Sequence, residues 1–392
     1  MHKVSYRKIA IYLPNLAGGG VERAYLELAY SLSMLGASVD LVLLRRIGPY
    51  IAEIPDSVCI VELHATRKFN AVLKLARYLR REKPAVLLSG GDVSNAVALV
   101  ASILAGRTAQ CVISQRAMML NVWQAQKPKT WWVWMAVLKM LYRRANLIIC
   151  NSEAARHELI DNLGFEEAKC QVIYNAVDID HIQRQAETLP DDPWFSPGHP
   201  PVIISVGSLS PLKDMTTLIR AFAIVRQSHT CHLIILGEGP ERGRLEALVR
   251  ECNLERYVHM PGFVSNPFPM IQRAQVLVNA SLTEGCPNVL LQALACGTPI
   301  VATDCPGGSS EILENGRWGR LVPVGNAKTM ATAIIRTLDG DLPPDGRERA
   351  MQFNRERTAS LYLERLIPVL PTSKARHTHF TLDPNRVFRK YK

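Results

Sequence analysis

The sequence lacks any long apolar run. A helix needs about 20 consecutive apolar residues to cross the hydrocarbon core of a bilayer. The longest candidates, residues 93–105 and 131–138, fall short, and Lys139 interrupts the second. A signal peptide is missing as well. The N-terminus carries Lys3 and Lys8 before a five-residue apolar run, without the long apolar segment or small-residue cleavage site that secretion requires. These absences predict a cytoplasmic chain. The nine cysteines contain no C-x-x-C pair and no metal-ligand spacing. Several lie inside apolar runs, as Cys150 does, where cysteine acts as a small core residue, so they read as reduced and structural. A G-x-G-x-x-G fingerprint is also absent, which removes support for dinucleotide binding. No recognition motif for nucleic acid accompanies the basic charge, so no nucleic-acid partner is expected. The D-x-D pattern occurs at Asp178/Asp180, in a post-strand turn, and at Asp339/Asp341, in a Gly/Pro-rich loop. Both read as chance, and no metal or other cofactor is expected.

What is present begins with charge. The net charge of +11 is uneven: residues 1–180 balance at +7, residues 181–370 at −1, and the tail 371–392 at +5. A basic half suits an anionic membrane surface or a phosphorylated substrate, although solvated surface alone would give the same balance.

A chain of 392 residues is long enough for two domains. Short apolar runs alternate with longer amphipathic ones, which is the pattern of βαβ units and parallel sheets. Strands are expected at residues 9–13, 39–44, 58–63, 85–88, 110–114, 147–150 and 170–173, with helices at 21–35, 70–81 and 94–105 among them. Residues 186–201 (AETLPDDPWFSPGHPP) hold five prolines and little periodicity, as a linker does. Strands then resume at 201–206, 232–236, 257–260, 276–279, 299–302 and 320–324, with helices at 215–226 and 241–252. The expected architecture is two doubly wound α/β domains, 1–185 and 200–370, followed by a basic, mobile tail at 371–392. Ligands in such sheets bind at the carboxyl ends of the strands.

Three loops carry the chemistry. The first strand runs into Gly18-Gly19-Gly20-Val21-Glu22-Arg23, a turn that brings backbone N–H groups at a helix start close to an anion. The second domain opens with a strand ending at Gly207-Ser208 and a lysine, Lys213, just before a helix, where it can neutralise a phosphate. Gly237 marks a further glycine turn. The third loop heads residues 281–313 (SLTEGCPNVLLQALACGTPIVATDCPGGSSEIL). There Glu284 precedes Gly285, Pro287 suits a first helical turn, and Asn288, Val289 and Leu290 would offer free N–H groups.

Residues 127–144 (KPKTWWVWMAVLKMLYRR) place Trp131, Trp134, Met135, Leu138 and Tyr142 on one helical face among basic residues. Such a helix either packs onto its own sheet or lies on an anionic bilayer.

In this order, GGGVER, SVGSLSPLKD, LGEGP, GFVSNPFP, EGCPNVLL and CGTPIVATDCPGG resemble the blocks of glycosyltransferase family 4, over nearly the whole chain to about residue 340. The resemblance implies the GT-B fold, two Rossmann-like domains facing each other across a cleft, with the acceptor in the first and a nucleotide-sugar donor in the second. It implies transfer with retention, from a UDP-sugar or else a GDP-sugar, to a lipid-linked or surface-polysaccharide acceptor at the inner face of the membrane. Glu284 would contact donor-sugar hydroxyls and Lys213 the leaving diphosphate. Amides from Gly285 and Pro287 to Leu290 would hold diphosphate and sugar. Gly262, Phe263 and Val264 would border the nucleobase, and Gly207, Ser208 and Gly237 would complete the donor site. Gly18, Gly19, Gly20, Glu22 and Arg116 would face it from the first domain. Three positions depart from the pattern. Gln292 replaces the ribose-binding glutamate, Ser208 an arginine, and a common histidine is absent where Ile113-Ser114-Gln115-Arg116 stands. A sugar-nucleotide epimerase of similar fold, or a non-catalytic sugar-nucleotide-binding relative, would share the donor site, and acceptor-dependent turnover separates them from a transferase.

Overall fold

The computed structural model describes residues 6–17, 20–65, 68–120, 131–190 and 192–366. The expected tail, Gly18 and Gly19 therefore lie outside the described residues.

The first sheet takes its strands in chain order from β1 (Tyr6–Leu13), β2 (Ala37–Leu43), β3 (Val58–Glu62), β4 (Val86–Gly90), β5 (Gln110–Gln115), β6 (Leu147–Cys150) and β7 (Cys170–Val172). All pairings are parallel and the spatial order is β3-β2-β1-β4-β5-β6-β7. The second sheet holds β8 (Val202–Val206), β9 (His232–Leu236), β10 (Val258–Gly262), β11 (Val276–Asn279), β12 (Ile300–Thr303) and β13 (Arg320–Val322), again all parallel, in the order β10-β9-β8-β11-β12-β13. Strands such as β4 and β12 are buried at every position. Helices cover both sheet faces, which is why the strands read as continuous apolar runs rather than alternating ones. In both orders the sequence reverses direction next to the first strand of the domain. Such switch points open a crevice at the carboxyl ends of the strands.

Two segments depart from the expected partition. Helix Ile179–Ala186, placed by sequence in the first domain, packs Ile179 and Ile182, together with Val177 just before it, into the core of the second. Helix Arg355–Leu366, placed in the second, packs Ala359, Tyr362, Leu363 and Leu366 onto the first. The backbone joins at the same place: Val177 N donates to Phe353 O at 2.8 Å. Arg355 is ion-paired with Asp178, which also caps helix Ile179–Ala186 by accepting from His181 N. The chain thus crosses between the domains twice, side by side.

The proline-rich linker is fastened to the second domain. Trp194 stacks on His232 with ring centroids 4.1 Å apart, and buried Asp192 meets His259 Nδ1 at 2.7 Å. All nine cysteines are unpaired and seven are buried. No helix among the described residues is long and apolar enough to cross a membrane.

Candidate active site

The site lies where loops at the carboxyl ends of both sheets converge. After β8, Gly207 N donates to Leu236 O at 2.9 Å, and after β9, Gly237 N donates to Gly262 O at 2.8 Å. Three strand ends are thereby fixed side by side. A short turn, Pro211–Lys213, follows. It ends at Asp214, whose backbone is left-handed (φ 42°) and whose carboxylate caps helix Met215–Val225 through Thr217. Aspartate tolerates this conformation because its side chain bonds locally. The cap fixes the direction in which Lys213 leaves the chain.

Leu282 N donates to Leu212 O at 2.8 Å and ties the lysine loop to the glutamate loop. The result is direct contact: Lys213 Nζ is ion-paired with Glu284 Oε1, which also accepts from Ser281 Oγ at 2.7 Å. Both charged side chains are mostly buried, at 25% and 12% exposure. A charge pair screened from water this far interacts much more strongly than one at the surface.

Beneath it, the loop after β12 forms a floor. Glu284 N donates to Pro306 O at 3.1 Å and Gly308 N to Gly285 O at 2.8 Å. Gly307 has φ 130°, and a Cβ there would stand 1.7 Å from Glu284 O. No side chain fits without displacing the glutamate loop. Gly307→Ala is expected to cost at least about 1–3 kcal/mol of stability from backbone strain alone. Calorimetry on this variant should show a lower Tm, and an unchanged melting curve would mean the floor yields freely.

Helix Asn288–Cys296 starts directly after this loop, with Pro287 as its cap, one residue before the first turn where the sequence placed it. A helix start leaves N–H groups without intrahelical partners, but Leu290 N is not the free donor expected from the sequence, because it donates to Pro287 O at 3.1 Å. The first domain faces it closely. A Cβ on Gly285 would meet Arg116 O at 2.2 Å, and one on Gly20 would lie 3.3 Å from the Asn288 amide nitrogen. Arg116, past the end of β5, packs its guanidinium over Tyr25 and donates to Asn175 Oδ1 at 2.6 Å. Asn175 in turn donates to Cys286 O at 3.0 Å and Asn288 Oδ1 at 2.6 Å. Burial pushes the Cys286 thiol up to about 12, so it stays protonated and is no nucleophile.

The structure brings together Lys213, Glu284, Gly285, Pro287, Asn288, Gly20 and Arg116. Val289 and Leu290 follow in the helix, Val289 half-buried and Leu290 in the core. Gln292 is half-buried on the next turn, and Glu22 sits in the first turn of helix Gly20–Met34. Ser208 is exposed beside Ser210, and Gly262, exposed Phe263 and half-buried Val264 lie where β10 ends. Three contributors escaped the sequence reading: Ser281, Asn175 and Glu311. Glu311 accepts from the backbone N–H of Glu153 and Ala154 in the first domain, each at 2.8 Å, and from Tyr174 Oη at 2.8 Å. It thereby joins the second domain to the first. Three of the four D-x-D aspartates are ion-paired with other partners, and Asp180 is exposed. Asp178 pairs with Arg355, Asp339 with His229, and Asp341 with Arg320 and Arg336.

Comparison with known proteins follows the same division. Residues 18–181 match the family model described as Glycosyltransferase Family 4, and residues 200–340 the one described as Glycosyl transferases group 1. A Campylobacter jejuni protein, N-acetylgalactosamine-N,N'-diacetylbacillosaminyl-diphospho-undecaprenol 4-alpha-N-acetylgalactosaminyltransferase, is 31% identical over 355 residues, covering 86% of this chain and 91% of the relative. The chain belongs to glycosyltransferase family 4. It is a glycosyltransferase, and its two facing parallel sheets form the GT-B fold. Among solved structures, Anabaena HepE in complex with UDP-glucose superposes with a TM-score of 0.76 at 21% identity, over 93% of this chain and all of that one. A Rickettsia africae glycosyltransferase does so at 0.75 and 18% identity, over 94% of this chain and all of that one. At these identities the likeness concerns the fold of the transferase alone.

Proposed function

We propose that the enzyme transfers a hexosyl or N-acetylhexosaminyl unit, with retention of configuration, from a UDP-sugar to a lipid-linked or surface-polysaccharide saccharide. The observation that carries this reading is the Lys213–Glu284–Ser281 group at the start of helix Asn288–Cys296, faced by Gly20 and Arg116 from the other domain. A helix start and a lysine together suit a diphosphate leaving group. The carboxylate beside them suits sugar hydroxyls. The protein then acts by holding both substrates and by stabilising the departing charge, with the leaving phosphate oxygen taking the proton of the incoming hydroxyl. The name of the Campylobacter relative supports an acceptor held on a polyprenyl diphosphate, and the UDP-glucose in the Anabaena structure supports the donor class. Such an acceptor implies peripheral association with an anionic membrane surface at the inner face of the cell membrane.

The test is UDP release from UDP-hexoses and UDP-N-acetylhexosamines, with and without a polyprenyl-diphosphate-linked saccharide. Release that requires the acceptor, with an α-linked product by NMR from an α-linked donor, is the expected result. A donor altered by enzyme alone would instead indicate an epimerase, and a donor bound but never turned over a non-catalytic relative.

Gln292 bears on donor affinity. It lies eight positions past Glu284, on a part of the site that would meet the ribose, where nothing reacts. Gln292→Glu replaces a neutral hydrogen bond, worth about 0.5–1.5 kcal/mol, by a charge-assisted one worth about 1.5–3. Donor KM should fall by up to about tenfold with little change in kcat. An inactive variant in steady-state assays would place Gln292 elsewhere.

A further inference from the structure

Residues 63–152 hold fourteen lysines and arginines against only Glu82 and Asp92, a balance of +12 that exceeds the +11 of the whole chain. From residue 93 to residue 152 there is no acidic side chain at all. The fold gathers the described helices of this segment into a layer. Helices Lys68–Glu82, Asp92–Leu104 and Trp131–Tyr142 lie side by side on one face of the first sheet, packed through one common core.

The face of Trp131–Tyr142 singled out from sequence turns inward. Met135, Leu138 and Tyr142 are buried, Trp134 packs against the core, and the Trp131 side chain lies outside the described residues. Its opposite face is the apolar one left uncovered: Trp132 is 64% exposed, Met140 59%, and Val133 42%. Helix Lys68–Glu82 adds Phe69 at 72% and Leu73 at 44%. Eight of the seventeen large apolar side chains exposed among the described residues sit on these three helices. Cations continue the same stripes. Arg77 and Arg80 follow Phe69 and Leu73 at helical spacing, and exposed Arg143 and Arg144 follow Met140. The two acids are already paired: Glu82 accepts from Lys8 and Arg81, and Asp92 from Tyr142.

We propose that the outer face of this three-helix layer is a docking surface for an anionic lipid bilayer. Apolar side chains such as Trp132, Val133 and Phe69 enter the headgroup boundary, and the arginines bind the lipid phosphates. Charge decides the occupant. A second copy of the chain would set one strongly cationic face against another, and a nucleic acid offers no apolar phase for Trp132 and Met140. Helices that follow parallel strands run back against them, so this layer starts at the cleft end of the sheet. Docking there holds the cleft beside the membrane. The inference rests on the reading that the acceptor is membrane-held.

The experiment is sedimentation of the full chain with phosphatidylcholine vesicles, with and without phosphatidylglycerol, at low and high salt, beside turnover on a short water-soluble acceptor saccharide. The wild type should bind the anionic vesicles and be released by salt. Arg143→Glu/Arg144→Glu and Phe69→Ser/Trp132→Ser should each bind at least tenfold more weakly while keeping turnover within twofold. Retained binding by both variants, or equal wild-type binding to both vesicle types at all salt concentrations, would overturn the proposal. So would a wild-type dimer in size-exclusion chromatography that Phe69→Ser/Trp132→Ser makes monomeric. A wild type that docks but transfers no sugar overturns the catalytic reading and leaves the surface standing. One that transfers sugar and ignores vesicles does the reverse.

Discussion

Glu284→Gln should lower kcat by about a hundredfold or more, as loss of one preorganised polar contact at a reacting centre commonly does. The substitution preserves size and the fold of the loop, whose amide and carbonyl are held by Pro306 and by the packing of Gly307. What changes is charge. Glu284 Oε1 accepts from Lys213 and from Ser281, and a neutral amide oxygen accepts both bonds more weakly. The carboxylate stands between the lysine and the helix start, where a sugar would part from its diphosphate. Its effect is therefore concentrated in the transition state and should appear in kcat more than in KM. Steady-state kinetics with saturating acceptor decides it. A variant that keeps most of its kcat would place the bond-breaking step away from Glu284.

The sheets were legible in the sequence because each parallel strand is buried on both faces and reads as a bounded apolar run. Six expected strands in the second half begin or end within two residues of those observed. Lys213 and Glu284 were legible for a similar reason: each belongs to a short loop between a strand and a helix, and the loop announces itself through glycine and proline. Asn175 and Glu311 were not. Their partners lie 59 to 158 residues away, and nothing local distinguishes an asparagine that joins two domains from one that ends a turn. The double crossover was hidden likewise. Periodicity shows that helices Ile179–Ala186 and Arg355–Leu366 each bury one face, not which sheet receives it. The helix Trp131–Tyr142 shows the opposite limit. The face singled out from the sequence does enter the core through Met135, Leu138 and Tyr142, but nearly every position is apolar, so the pattern does not show that Trp132, Val133 and Met140 opposite it stay exposed.

Lys213 and Glu284 should prove to be one functional unit rather than two contributors. Lys213→Ala removes a charged hydrogen-bond partner from the developing diphosphate, worth about 1.5–3 kcal/mol, and kcat/KM should fall at least tenfold. Ser208, exposed and uncharged, supplies no second cation to that loop. The same substitution also strips Glu284 of its ion-pair partner and leaves a mostly buried carboxylate beside Ser281 alone. An uncompensated charge in such a place repels the leaving group it should help position. Part of the loss from Lys213→Ala is therefore a penalty exerted through Glu284, and Glu284→Gln removes that penalty. The double variant should lose about as much as the worse single variant, not the product of the two. Groups in direct contact show interaction energies of about 0.5–3 kcal/mol in such cycles, whereas independent sites add within about 0.3–0.5. Measuring kcat/KM for the wild type, both single variants and the double variant closes the cycle. Strictly multiplicative losses would mean that the lysine and the glutamate act on separate parts of the donor, and that their contact plays no part in catalysis.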